Sequence, residues 1–242
     1  MKSIFKTDSL IKPAIVTFAV AALALGACGE KSAKATNGGS AERSAFEVEG
    51  DHALGDPKAP ITVVEYASVT CGHCSNWYNT VWDDFRKTFI DTGKVRYVYR
   101  EFSTPPVELA HAGHLIANCA PEDKFFSIIG VQFKRQREIL GSSNIKKEYI
   151  DLAKMAGMNE KEFEACMVNE TENARLNKVE EDGFNMGVTG TPTFFINGKK
   201  YSSNVVYKVE DFAKVFAEIL GEPTPVKEKA DAAPQTDAKP EE

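Results

Sequence analysis

The chain has 242 residues, with 35 Asp and Glu against 29 Lys and Arg, for a net charge of −6. That balance leaves no basic patch of the kind that binds nucleic acid, and it argues mainly for solubility. The length suits one domain of ordinary size with flanking segments, and no internal repeat is visible.

The chain starts "MKSIFKTDSLIKPAIVTFAVAALALGACGE", with Lys2, Lys6 and Lys12 ahead of an uncharged stretch. A basic beginning followed by a short apolar run is the pattern of an export signal, here residues 1–27. The run from Pro13 to Ala27 is shorter than the ~20 residues of a membrane-spanning helix. A retained signal-anchor is the alternative. Leu25-Gly26-Ala27-Cys28 resembles the lipobox of bacterial lipoproteins, which implies cleavage before Cys28 and a diacylglycerol on its sulfur. Two or more acyl chains would anchor stably, at ~0.8 kcal/mol per buried CH₂. Gly29 in the next position resembles cargo sent to the outer membrane, while Ala22-Leu23-Ala24 also fits an ordinary signal-peptidase site. Without residues 1–27, which carry three Lys and one Asp, the net charge falls from −6 to −8. Residues 28–45 are small and polar, a flexible tether. Residues 221–242 are rich in Pro, Ala and charge, and lack the apolar area that would offset ordering.

Between these segments the elements follow in order. "ITVVEYASV" (Ile61–Val69) is rich in β-branched residues and predicts a buried strand. Trp77, Tyr78, Val81, Trp82, Phe85 and Phe89 recur at three- and four-residue spacing and predict an amphipathic helix that stops at Gly93. Lys94–Phe102 alternates and predicts a second strand, parallel to the first in a right-handed βαβ unit. Helical patterns then cover Val107–Ala120, Glu122–Gln136, Asn144–Ala156, Glu160–Asn169 and Glu172–Met186. "TFFI", Asn197-Gly198 and Lys200–Val206 predict a hairpin. Val209, Phe212, Val215, Phe216, Ile219 and Leu220 share one face of a closing helix.

"CGHC", Cys71 to Cys74, stands at the start of the Trp77 helix. The spacing alone fits metal ligands, a structural cross-link or a redox centre. A zinc site usually needs four ligands, and no second C-x-x-C is present. His111 and His114 sit at i and i+3 of a predicted helix, where packing or surface roles are commoner. A structural disulfide across two residues closes too short a loop to stabilise much. The redox reading has a physical cause. Unpaired N–H groups and the positive end of the helix dipole stabilise a thiolate at Cys71, and His73 adds an imidazole. A thiol of pKa ~8.5 is about 3% ionised at pH 7, and a fall of ~3 units ionises nearly all of it. That shift is worth ~4 kcal/mol to the reduced form and raises the potential by roughly 90 mV, towards donating disulfides. A Cys71 pKa below 6.5 is expected. Cys74, one turn on, is expected to be more buried and to act as the resolving thiol.

"DHALGDPKAPITVVEYASVTCGHC" and "GVTGTPTFFINGK", about 120 residues apart, together resemble the DsbA family over Asp51 to Leu220. The resemblance implies an α/β, thioredoxin-like fold with an inserted α-helical domain. Residues 46–103 and 171–220 would form the two thioredoxin halves, and residues 104–170 the insertion. It implies that Glu65 is the family's buried acid and relays a proton to Cys74, a surface strand carboxylate being the alternative. It also implies that Pro192 is the cis-proline facing the disulfide, with the Thr191 backbone free to pair with an extended substrate. Thr191 and the Gly72-His73 dipeptide depart from the family's best-known oxidase at the positions that tune potential and release. Cys119 and Cys166 are either two buried thiols or, as an oxidising envelope and some family members favour, a structural disulfide. It would close a loop worth ~4 kcal/mol on the chain-entropy model.

The function expected is a thiol:disulfide oxidoreductase of the periplasm or cell envelope that donates its Cys71–Cys74 disulfide to exported proteins with free thiols. A DsbB-like membrane oxidase would re-oxidise it. The redox-active disulfide serves in place of a cofactor, and no metal or nucleic acid is expected. A disulfide isomerase or reductase of the same fold, and a non-catalytic lipid-anchored metal-binding or scaffold protein, are the rivals.

Overall fold

The computed structural model describes residues 45–223, which belong to one compact unit. The signal segment 1–27, Cys28, nearly all of the tether and the tail beyond residue 223 lie outside the described residues.

A five-stranded mixed sheet has the order β1-β3-β2-β4-β5. Its centre is β2 (Ile61–Ala67), parallel to β3 (Val95–Glu101) and antiparallel to β4 (Thr193–Ile196). All seven residues of β2 are buried, which accounts for a continuous apolar run there in place of alternation. One sheet face carries Ile61, Val63, Ala67 and Tyr97 into a large core. That core also takes Trp77, Phe85, Phe212 and Phe216 from helices α1 (Gly72–Thr80), α2 (Trp82–Phe85) and α9 (Val209–Leu220), together with apolar residues of the inserted helices. The other face holds Val64, Tyr66, Val98 and Phe195, with Val179 of α8 (Glu170–Asn185) against them. Gly183 lets α8 lie close, since a Cβ there would come within 2.9 Å of the Tyr66 ring. The insertion comprises α3 (Val107–Cys119), α4 (Phe125–Lys134), α5 (Gln136–Gly141), α6 (Ile145–Ala156) and α7 (Glu160–Met167).

Four details depart from the expected elements. The Trp77 helix is not continuous: Val81 leaves helical geometry at φ −126°, and a π-type turn follows at Arg86–Ile90. Asn79 and Thr80 both donate back to carbonyls four residues earlier, which competes with the helix ladder and bends it. The extra residue of the π-type turn re-phases the chain so that Phe89 and Ile90 both point inward. The expected Glu122–Gln136 helix stops at Arg135, and α5 restarts at Gln136. The second hairpin strand is only β5 (Lys199–Ser202), because Val205 and Val206 fold back to donate to the Ser202 carbonyl. Finally, β1 (His52–Leu54) is a short edge strand with no apolar run to announce it, antiparallel to β3. Ion pairs beside it, Arg100–Asp51 at 2.7 Å and Arg96–Glu47 at 3.0 Å, tie the preceding segment to β3.

Candidate active site

Cys71 follows the loop Ser68-Val69-Thr70 that leaves the end of β2. The loop is pinned on both sides. Cys71 N–H donates to the Ser68 carbonyl at 3.0 Å, and Thr70 Oγ1 donates to the Thr104 carbonyl at 2.7 Å. From the insertion, the buried Gln136 amide donates to the Val69 carbonyl at 2.8 Å and the Cys71 carbonyl at 3.0 Å. Held in this way, Cys71 takes the N-cap position of α1 in extended geometry, and its sulfur accepts the Cys74 N–H at 3.3 Å. A side-chain acceptor at this position satisfies one of the orphan donors of the helix, and a thiolate does so better than a thiol.

The sulfur's surroundings lower the Cys71 pKa to about 6. The Cys74 thiol, as hydrogen-bond partner, contributes most, and partial burial opposes it. The Thr191 side chain, its hydroxyl buried and not committed to any other group among the described residues, lowers it further, as do the N–H groups of Cys74 and His73. In the thiol form Cys71 donates instead to the Thr191 carbonyl at 3.3 Å. The Thr191–Pro192 peptide is cis. The His73 ring is exposed, so it is the backbone of this residue, and not the imidazole, that acts on the sulfur.

Cys74 is fully buried, and burial pushes its thiol well above the usual range, with Cys71 and Glu65 adding to the rise. Glu65 lies at the middle of β2 and is 2% exposed. Burial raises its pKa to about 8, although the Tyr97 hydroxyl donates to it at 2.5 Å and pulls the other way. At pH 7 the site therefore holds a thiolate at its partly exposed sulfur, above a neutral thiol and a mostly neutral carboxyl.

Cys119 and Cys166 are bonded at 2.06 Å, joining the C-terminal end of α3 to α7. Thr104 precedes the opposite end of α3, so this bridge lies away from Cys71. His111 bonds Asn173 at 2.8 Å, and His114 is buried against Tyr99, its pKa lowered by burial to about 4. Gln136 and Tyr97 were not singled out from the sequence. Nothing in "QFKRQREIL" marks one amide as reaching back 65 residues. Tyr97 had a partial signal: the register of the two parallel strands sets Tyr99 opposite Glu65 and Tyr97, opposite Val63, one pair away on the same face.

A family model for thioredoxin (Thioredoxin_4) matches residues 47–214. The crystal structure of alpha-DsbA1 of Wolbachia pipientis superposes with a TM-score of 0.64 at 25% identity, over 73% of this chain and 94% of that one. The chain belongs to the thioredoxin family, and its fold matches that of the DsbA structure. A protein of Rickettsia typhi assigned the name protein-disulfide oxidoreductase is 30% identical over 171 residues, covering 67% of this chain and 62% of the relative. The match thus spans less than two thirds of the length of that relative. Oxidised BdbD of Bacillus subtilis shares the fold, with a TM-score of 0.63 at 22% identity over 72% of this chain. In this thioredoxin-family chain the thioredoxin halves supply Cys71, Glu65 and Thr191, and the inserted helices supply Gln136.

Proposed function

We propose that this chain is a thiol:disulfide oxidoreductase that donates the Cys71–Cys74 disulfide to exported proteins in the cell envelope. The observation that carries the reading is the Cys71 sulfur at the N-cap of α1, partly exposed and with its pKa lowered to about 6. A low pKa makes Cys71 a good leaving group and favours the reduced enzyme, which is what a disulfide donor needs.

In the first step a client thiolate attacks Cys71 Sγ, the Cys71–Cys74 bond breaks, and the electron pair leaves on Cys74. Cys74 has a raised pKa and takes a proton, for which the neutral Glu65 carboxyl is the nearby buried source. A second client thiolate then attacks the client sulfur of the mixed disulfide and expels Cys71 as thiolate. Two electrons pass from the client dithiol to the enzyme, and the client leaves with a new disulfide. Thr191, whose carbonyl meets the Cys71 sulfur, is the backbone beside which an extended client would lie, with Pro192 following it. The disulfide is itself the electron acceptor, so the step needs neither metal nor organic cofactor. Re-oxidation is assigned to a quinone-linked membrane oxidase, and residence in the envelope to the export signal in residues 1–27 with lipid attachment at Cys28. The Cys119–Cys166 bridge is assigned a structural role.

Oxidised protein should form disulfides in a reduced, unfolded client with stoichiometric loss of its own, and Cys71→Ser should abolish this. Alkylation of the reduced protein against pH should show a half-maximal rate near pH 6. A midpoint above 8 would remove the electrostatic basis of the reading.

A further inference from the structure

A cleft of about 340 Å³ opens on the insertion side of Cys71 and has no part in the chemistry above. It runs between α1 and the junction of α4 with α5, and its walls include Gly72, Ser75, Asn76, Asn79, Lys134 and Arg137. The neutral donors along it are already committed. Ser75 Oγ donates to the Phe133 carbonyl at 2.8 Å, and the Asn79 amide is shared between the carbonyls of Ser75 and Phe133. The Asn76 amide donates to Tyr207 Oη at 2.6 Å, and Gln136 is spent on Val69 and Cys71. What remains to meet an incoming group is cationic. Arg137 is exposed and has no ion-pair partner among the described residues. Lys134 is also exposed, its ammonium 5.9 Å above the Tyr78 ring. Among the described residues no acidic side chain lines the cleft, and the neighbouring Glu138 is held by Arg135 at 2.5 Å. In a chain of net charge −6, two cations without an ion-pair partner among the described residues therefore share a cleft with the residue that follows Cys71.

We propose that this cleft receives an acidic segment of the client polypeptide, an Asp or Glu within about four residues of the cysteine that attacks Cys71. Gly72 is both a cleft wall and the neighbour of Cys71, and an extended chain advances about 3.3 Å per residue, so the reach is short. Cations placed this way act on encounter and orientation more than on the final bond. The inference rests on the oxidoreductase reading and adds to it a class of client.

The test uses the full oxidised chain and three dithiol peptides that differ only in the two residues flanking their cysteines, Glu, Ser or Lys. Each rate is divided by that peptide's rate with 2-hydroxyethyl disulfide, an uncharged oxidant, which removes the effect of the flanking charge on the peptide thiol itself. The expected order is Glu above Ser above Lys, about five- to tenfold from end to end in low salt. The spread should collapse at 0.5 M salt, where charges are screened over a few ångströms. In the K134E/R137E variant the order should reverse. Equal rates, or a Glu preference that survives in that variant, would overturn the inference. If the wild-type chain oxidises none of the three peptides, it is the oxidoreductase reading that fails.

Discussion

Glu65 and Glu101 are each 2% exposed, and their surroundings send them in opposite directions. Glu101 is buried against Arg175 at 2.8 Å and Asn118 at 2.8 Å, which hold its carboxyl below the usual range against the pull of burial. Among the described residues Glu65 has only the Tyr97 hydroxyl as a side-chain partner, so burial wins and the pKa rises to about 8. The linkage has a definite sign. Below its ordinary pKa of 4.5 Glu65 is neutral in both folded and unfolded chains. Between 4.5 and about 8 the folded chain must keep a proton that the unfolded chain gives up, so stability is lost as pH rises. Glu65→Gln keeps an acceptor for Tyr97 and has no charge to bury. Reduced Glu65→Gln protein should melt with the wild type near pH 4 and above it from about pH 5, with the gap widening to pH 8. Equal melting temperatures at pH 9 would show that Glu65 is not held neutral by the fold. The same variant should slow the step that leaves on Cys74, because the nearby proton donor is gone.

At the scale of elements, the insertion does more than cover the sheet. Through Gln136 the start of α5 grips two carbonyls of the loop that presents Cys71. Gln136→Met retains the shape of the side chain and loses both donors. The Cys71 carbonyl still accepts the Ser75 N–H at 3.0 Å, but leaving the buried Val69 carbonyl unpaired costs about 1–3 kcal/mol if the loop does not move. The loop can move, so the expected outcome is a smaller loss of stability with a Cys71 pKa raised towards that of an ordinary thiol. Thiolate absorbance near 240 nm reads this, and an unchanged titration would mean that the loop holds itself. Within the insertion, the bridge between α3 and α7 spans 47 residues. On the chain-entropy model a closure of that length is worth ~4 kcal/mol. Replacing Cys119 and Cys166 together by Ala should lower the denaturant midpoint accordingly, measured with Cys71 and Cys74 in the same redox state in both proteins.

Across the whole molecule, one buried polar network joins elements that are far apart in sequence. Arg175 of α8 meets Glu101 at the end of β3 and Asn118 of α3, and Asn118 also bonds His52 of β1 at 2.8 Å. His52 in turn stacks on Phe125 at 3.6 Å, the first residue of α4. The second thioredoxin half, the insertion and the edge strand therefore share one charged centre. Arg175→Ala leaves the Glu101 carboxylate buried without its cation, which typically costs about 3–5 kcal/mol. The loss should appear as one cooperative shift in the melting of the whole domain. Restoring stability by adding Glu101→Gln would trace the cost to the stranded charge, and failure to restore any of it would argue against that cause.

The sequence by itself determined the order of the main strands and helical stretches apart from β1, the place of the C-x-x-C motif at a helix start and the parallel pairing of β2 with β3. These follow from local signals: runs of β-branched residues, three- and four-residue apolar spacing, and turn residues between them. The tertiary structure alone decided that Gln136 reaches the Cys71 loop, that β1 pairs with β3, that Val81 breaks the first helix and that Arg175 neutralises Glu101. Each of these is a polar or backbone interaction between residues up to 74 positions apart, or a competition for a carbonyl. Apolar periodicity records which face of an element is buried, but it carries no information about which distant polar partner will be waiting there.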